Sequence, residues 1–240
     1  MYSKDLSIIF PIYNEENSIK ETIFEWKKEI DFLEMNYEII LAEDGSTDNT
    51  KNILNDLIIH DKKKYLLSNI VDNKRGYAKA ILSSINLANG EFILSVDADG
   101  QCDPKDFKKF WEKKNDLHDD ILIGNRKSRK DKFFRLLMSK IFLLFHRVLF
   151  FSKIKDPSCP YLFCRKKTFI ELKKYLNLMT EGFWWGFVAA SLKENKKIYQ
   201  VDINHRKRIT GSTNVFLFSK IPSIAFRNAI GLFKIKFFIN

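Results

Sequence analysis

Residues 91–104 read EFILSVDADGQCDP. An apolar run from Phe92 to Val96 leads directly into two aspartates one residue apart, Asp97 and Asp99. A run of this kind predicts a strand buried on both faces. Two neighbouring carboxylates repel each other, so the pair carries a cost that a cation between them removes. Oxygen ligands at a strand end, followed by Gln101 and Asp103, suit a hard divalent ion. Mg2+ or Mn2+ takes one or two carboxylates and fills its other positions with water and substrate phosphates. The competing reading is a helix cap and a solvated turn. The run FILSV before the pair, and a second acidic strand end upstream, favour the ion.

That second end closes YEIILAEDGSTD (37–48), and a third polar cluster, Tyr13-Asn14-Glu15, closes LSIIFPIY (6–13). Between the strands lie segments of helical spacing. In 14–30 the apolar positions are Ile19, Ile23, Trp26 and Ile30, and further helices are predicted over 48–59, over 75–90 with Gly90 just past its end, and over 104–115 with Pro104 near its start. YLLSNIVDN (65–73) and DILIGNRK (120–127) read as additional strands. Strands alternating with helices of ten or more residues imply a parallel sheet wrapped by helices, whose ligands sit at the carboxyl ends of the strands. The three polar clusters share that edge.

From residue 126 the pattern changes. RKSRKDKFFRLLMSKIFLLFHRVLFF is basic, then amphipathic, and on a helix Arg135, Ser139 and His146 share a face. DPSCPYLFCRKKTF (156–169) follows with two prolines, then an aromatic-rich helix (181–195), a strand-like alternation (197–208), a loop and a tail mixing Phe, Ile and Leu with Lys and Arg. Phe183, Trp184, Trp185 and Phe187 read as core before lipid groove. Residues 133–151 and 215–240 fit helices lying in a membrane interface.

The 240 residues, 45% hydrophobic, suffice for a sizeable core. Three cysteines without a CxxC read as buried reduced thiols of a cytosolic compartment. Met1 to Ser7 runs straight into a strand with no signal peptide, and no apolar stretch reaches 18 residues. The net charge of +11 is split. Residues 1–125 carry 16 Lys and Arg against 24 Asp and Glu, and residues 126–240 carry 25 against 6. An acidic half suits a cation, and a basic half suits an anionic partner such as a membrane surface, a phosphate or a nucleic acid.

SIIFPIYNEENSI, EIILAEDGSTDNT, NKRGYAKAILSSINLANGEFILSVDADGQCDP and HRKRITGSTN, in this order, resemble the inverting family-two glycosyltransferases of the GT-A fold, in their polyprenyl-phosphate branch. The resemblance covers about residues 5–215. It implies an α/β fold: a Rossmann-like, mostly parallel sheet flanked by helices, with C-terminal amphipathic membrane-interface helices. Residues 1–214 would form the catalytic domain, with 1–125 binding the nucleotide-sugar and 126–214 the acceptor, and 215–240 a juxtamembrane tail. Pro11, Tyr13, Glu15 and Gly76 would line the nucleotide pocket, Asp44 would contact base or ribose, and the backbone at Ala98 would lie against the ribose. Asp97, Asp99 and Gln101 would hold the metal. Arg208 would close over the diphosphate from a loop that departs from the family at Thr213 and Asn214, where serine and lysine are usual. Arg126, Arg135 and Ser139 resemble the branch's clamp on the acceptor phosphate, for which a guanidinium fork is suited.

The resemblance implies a GDP- or UDP-sugar donor, a polyprenyl-phosphate acceptor, Mg2+ or Mn2+, a peripheral position on the cytosolic face of a membrane as in the branch's short forms, and no nucleic acid. It leaves open a membrane subunit or a homo-oligomer. A lipid phosphate is already an anion and needs no general base, whereas a sugar-hydroxyl acceptor does. Glu181 stands where such a base would be, and equally where a helix dipole favours a carboxylate. A same-fold transferase with a hydroxyl acceptor is therefore the alternative. A non-catalytic basic module would explain the charge split but not the acidic strand ends.

Overall fold

The computed structural model describes residues 2–61, 66–68, 70–118, 120–127, 133–179, 181–208 and 221–237, with 66–68, 133–135 and 221 described by their backbone alone. Among these residues the chain folds as one seven-stranded sheet with helices on both faces. Its elements are β1 (Lys4–Ile12), α1 (Ile19–Asp31), β2 (Tyr37–Glu43), α2 (Thr50–His60), β3 (Leu66–Ser68), α3 (Tyr77–Leu87) and β4 (Gly90–Ser95). They continue as α4 (Phe107–Trp111), β5 (Ile121–Arg126), α5 (Phe133–Phe150), β6 (Leu162–Arg165), α6 (Lys166–Leu176), α7 (Phe183–Lys193), β7 (Ile198–Ile203) and α8 (Ile221–Lys236).

The strand order is β3-β2-β1-β4-β6-β5-β7. The first four strands pair in parallel. The reversed β6 is antiparallel to both β4 and β5, so β5 and β7 run the same way as β4. The chain moves outward from β1 to β2 and β3, then returns to place β4 on the other side of β1. The loops leaving β1 and β4 therefore diverge, which opens a crevice at the carboxyl edge between them. Glu15 lies in one of these loops, and Asp97 and Asp99 in the other.

Successive side chains of a strand point to opposite faces. In β1, Leu6, Ile8, Phe10 and Ile12 enter the core shared with α1, α2 and α4, while Ile9 enters the core shared with α3, α6 and α7. Trp26 of α1 anchors the first core, edge-on to Phe10 at 5.9 Å and tilted against Tyr161 at 5.7 Å. Phe183, Trp184, Trp185 and Phe187 of α7 are buried in the second, as expected. The three thiols, Cys102, Cys159 and Cys164, are free and buried.

Gly90 serves differently from the reading above. Helix α3 ends at Leu87, and Gly90 opens β4 opposite Lys4. A Cβ there would lie 2.4 Å from the Ser7 backbone nitrogen, so close approach of two strands demands the glycine. The segment 156–169 supplies β6 and the start of α6, neither of which its two prolines announce. No described helix is long and apolar enough to cross a membrane.

Candidate active site

The site grows from the three strand ends. Asp44, just past β2, is buried and accepts hydrogen bonds from the backbone N–H groups of Arg75 (2.8 Å) and Gly76 (2.9 and 3.0 Å to its two oxygens). Gly76 sits at φ +100°, a conformation that disfavours any side chain, and presents its N–H at the start of α3. Gly45, at φ +74°, packs so closely on this turn that a Cβ would lie 2.4 Å from the Lys74 nitrogen. These contacts bring Lys74 over the Tyr13 ring, 3.4 Å from its centroid. The expected nucleotide-pocket residues Tyr13, Asp44 and Gly76 are thus assembled at one place. Pro11, the residue before last of β1, is buried opposite Ala42 of β2.

The loop after β1 reaches the loop after β4. Ser18 bonds the Glu15 carboxylate at 2.9 Å and the Ala98 carbonyl at 3.4 Å. Glu15 also pairs with Arg208. Burial raises the Glu15 pKa, the Arg208 charge opposes the rise, and Asp99 adds to it.

Asp97 is pushed up to about 7, first by burial and then by the neighbouring charge of Asp99, while Tyr77 and Arg126 oppose the shift. Both aspartates are partly held. The Tyr77 hydroxyl donates to Asp97 Oδ1 at 2.7 Å, and the Gln101 N–H donates to Asp99 Oδ1 at 3.1 Å. Among the described residues no three His, Cys, Asp or Glu side chains converge as metal ligands. Two carboxylates, one of them raised first by burial and then by the charge of the other, are nevertheless the donor set that suits a divalent ion completing its shell with diphosphate and water. These residues fit the ion.

Gln101 and Asp103 are drawn toward the chain after β7. Cys102 bridges His205, the Gln101 side-chain amide donates to the Arg206 carbonyl at 3.2 Å, and Arg206 bonds Asp103 and Glu25, each at 2.7 Å. Asp103 also caps the turn at Pro104. Its carboxylate serves structure, and the same ties deliver Arg208 to Glu15.

On the side expected to take the acceptor, Arg126 ends β5 almost buried. Its guanidinium is bidentate to Asp156 at 2.6 and 2.9 Å and bonds Ser158 at 2.8 Å. Burial alone would lower its pKa, and Asp156 more than offsets this. The fork expected to face a phosphate is filled by Asp156. Arg135 lies in the first turn of α5, with its side chain outside the described residues, as are Thr213 and Asn214. Ser139 is half-buried one turn on. His146, on the face they share, is buried between the rings of Phe150 and Trp185, and burial lowers its pKa to about 4. Glu181 pairs with Arg227 of α8 at 2.6 Å.

Sequence reasoning missed Tyr77 and Trp184 as site residues. Trp184 Nε1 donates to the Tyr77 hydroxyl at 2.8 Å, which donates to Asp97. The two are 107 residues apart, and no local pattern joins them. The only signal was an aromatic after a glycine at a helix start.

The sequence profile described as "Glycosyl transferase family 2" matches residues 7–192. The undecaprenyl-phosphate 4-deoxy-4-formamido-L-arabinose transferase of Proteus mirabilis is 29% identical over 136 residues, 57% of this chain and 41% of that protein, so the match spans less than half of that relative. The dolichyl-phosphate beta-glucosyltransferase of Dictyostelium discoideum is 28% identical over 96% of this chain and 77% of that protein. Among solved structures, glucosyl-3-phosphoglycerate synthase from Mycobacterium tuberculosis, in complex with Mn2+, UDP and phosphoglyceric acid, superposes with a TM-score of 0.68 at 15% identity, over 99% of this chain and 80% of that one. That likeness establishes the GT-A architecture. With three acidic or polar strand ends at one edge and the family profile over most of its length, the chain belongs to glycosyl transferase family 2.

Proposed function

We propose that the protein transfers a sugar, with inversion at its C1, from a nucleoside-diphosphate sugar to a polyprenyl phosphate. The observation that carries this reading is the Asp97–Asp99 pair at the crevice between β1 and β4, built from two carboxylates and therefore needing substrate oxygens to complete a metal shell. Asp97 and Asp99, with Gln101 beside them, would hold Mg2+ or Mn2+, which neutralises charge on a departing diphosphate. Tyr13, Glu15, Asp44 and Gly76 would seat the nucleoside. Arg208 would exchange Glu15 for the diphosphate, because a doubly charged oxygen cluster is the stronger partner for its fork.

Both names among the relatives, undecaprenyl-phosphate and dolichyl-phosphate transferases, support the acceptor class. The bond from Arg227 to Glu181 supports it too, since a general base for a hydroxyl acceptor would be held as an ion pair. Arg135 and Ser139 would face the lipid phosphate, with Arg126 and Asp156 supporting the wall beneath them. The attacking oxygen is already anionic, so the chain's task is alignment and exclusion of water. Such an enzyme would work at the cytosolic face of a membrane. The test is a screen of GDP- and UDP-sugars with Mn2+ or Mg2+ against a short polyprenyl phosphate, reading lipid-linked sugar. No product from any donor would refute the proposal.

The alternative, a sugar-hydroxyl acceptor, has one observation in its favour: Glu181 Oε2 is buried with no hydrogen-bond partner among the described residues. Glu181→Gln separates the two. Transfer to a phosphate acceptor should change little, and transfer to a hydroxyl should fall by about 100-fold or more.

A further inference from the structure

The guanidinium expected to clamp the acceptor phosphate is not free to do so. The side chains of Arg126 and Asp156 are each only 8% exposed, and the fork of Arg126 is closed on the carboxylate and on Ser158. Turning Arg126 toward a phosphate would strand a buried Asp156, which is strongly disfavoured.

Arg227 of α8 carries no such commitment. Its Nη2 donates to Glu181 Oε1 and its Nη1 to Ser223 Oγ, each at 2.6 Å. The side chains of Arg227 and Glu181 are 44% and 37% exposed, and an ion pair so open to water holds weakly. A guanidinium has five N–H donors, so beyond these two bonds it can still offer an edge to a second anion. Helix α8 contains no Asp or Glu of its own to fill that edge. A phosphate suits it, because guanidinium and phosphate form a charge-assisted fork.

Packing fixes where this guanidinium stands. A Cβ on Gly182, just before α7, would lie 2.7 Å from the Asn228 side-chain nitrogen. Met179 is gripped between Gly186 of α7 and Gly231 of α8, where added Cβ atoms would lie 2.3 and 2.7 Å from it. The glycines let α8 close on the start of α7. That end of α7 reaches the metal pair: Trp184 in its first turn donates to the Tyr77 hydroxyl at 2.8 Å, which donates to Asp97 at 2.7 Å. Arg227 lies beyond residues 7–192, the span of the family profile, so no motif announces it.

We propose that Arg227 binds the phosphate of the lipid acceptor, and that Glu181 orients its guanidinium for that contact. The inference rests on the polyprenyl-phosphate reading and adds a ligand from α8 to Arg135 and Ser139. It also gives Glu181 a task in a transferase whose acceptor needs no general base.

The test is calorimetric titration of the full chain with a short-chain polyprenyl phosphate and, in parallel, with the matching polyprenyl alcohol. Neither titration depends on turnover or on the identity of the donor. The phosphate should bind about tenfold or more tighter than the alcohol. Arg227→Met should weaken the phosphate by about 10–100-fold and leave the alcohol unchanged. Arg227→Lys keeps the charge without the fork and should fall between the two. Glu181→Gln keeps an oxygen for Nη2 and should bind close to the parent. In transfer assays Arg227→Met should raise the acceptor KM by a similar factor and leave the donor KM unchanged. The inference is overturned if the parent does not prefer the phosphate, if Arg227→Met binds it as the parent does, or if that variant loses phosphate and alcohol in equal measure, as a merely structural ion pair would. Transfer to a lipid phosphate with both KM values unchanged in Arg227→Met refutes the inference and leaves the function standing. Selective loss of phosphate binding in Arg227→Met, with no transfer by the parent from any donor, refutes the function and leaves the site standing.

Discussion

Replacing Tyr77 with Phe removes one oxygen from the centre of the site and leaves its rings in place. The ring of Tyr77 packs edge-on against Phe183 at 6.2 Å and Trp184 at 6.3 Å, contacts that Tyr77→Phe keeps. What it deletes is the hydroxyl that donates to Asp97 Oδ1 at 2.7 Å and accepts from Trp184 at 2.8 Å. That bond favours the ionised carboxylate. Without it the Asp97 pKa, already about 7 through burial and the charge of Asp99, rises further. A hydrogen bond to a charged group contributes about 1.5–3 kcal/mol, and supporting bonds of this kind typically change metal affinity by about 10–100-fold. Calorimetric titration with Mn2+ in the presence of UDP at neutral pH should therefore show binding weakened by about 10–100-fold in Tyr77→Phe. The gap should narrow as pH rises, because hydroxide ionises Asp97 in both proteins. Trp184 loses its acceptor at a cost of about 1 kcal/mol, so Tm should fall by no more than about 4 °C. A well-folded Tyr77→Phe that binds Mn2+ as tightly as the parent would refute the reasoning.

Asp99→Asn should abolish both Mn2+ binding and transfer, and full activity in that variant or in EDTA would remove the metal from the proposal. His146 titrates near 4 when folded and near 6.5 when unfolded, so it adds full stability above pH 6.5 and loses it as pH falls toward 4. Urea unfolding should show His146→Phe gaining about 2 to 3 kcal/mol relative to the parent between pH 7.5 and 4.5, and an equal pH response in both would contradict a buried neutral imidazole. Arg126→Met strands the Asp156 carboxylate in a near-buried position and should cost about 3–5 kcal/mol, with much of the loss recovered in Arg126→Met/Asp156→Leu. If the single variant is as stable as the parent, the pair is not structural.

The strand ends were readable from the chain alone. Continuous apolar runs that stop at Tyr13, Asp44 and Asp97 report strands buried on both faces, and a parallel sheet has one carboxyl edge. The order of strands and the reversal of β6 were not, because four residues ending in Arg165 carry too short a period to reveal a direction. Gly90 reads as a helix stop by its neighbours and proves to be a strand contact, since its constraint is the Ser7 backbone across the sheet. The site divided the same way. Residue types and spacing placed Asp97 and Asp99, whose chemistry follows from their own charges. Who holds them was settled by closure of the fold. Tyr77 meets Asp97 and Trp184 only when α3 and α7 pack on one face, and Arg126 turns to Asp156 only when the chain doubles back 30 residues later. Periodicity is a property of neighbours along the chain, whereas a hydrogen bond between distant side chains depends on where packing leaves them.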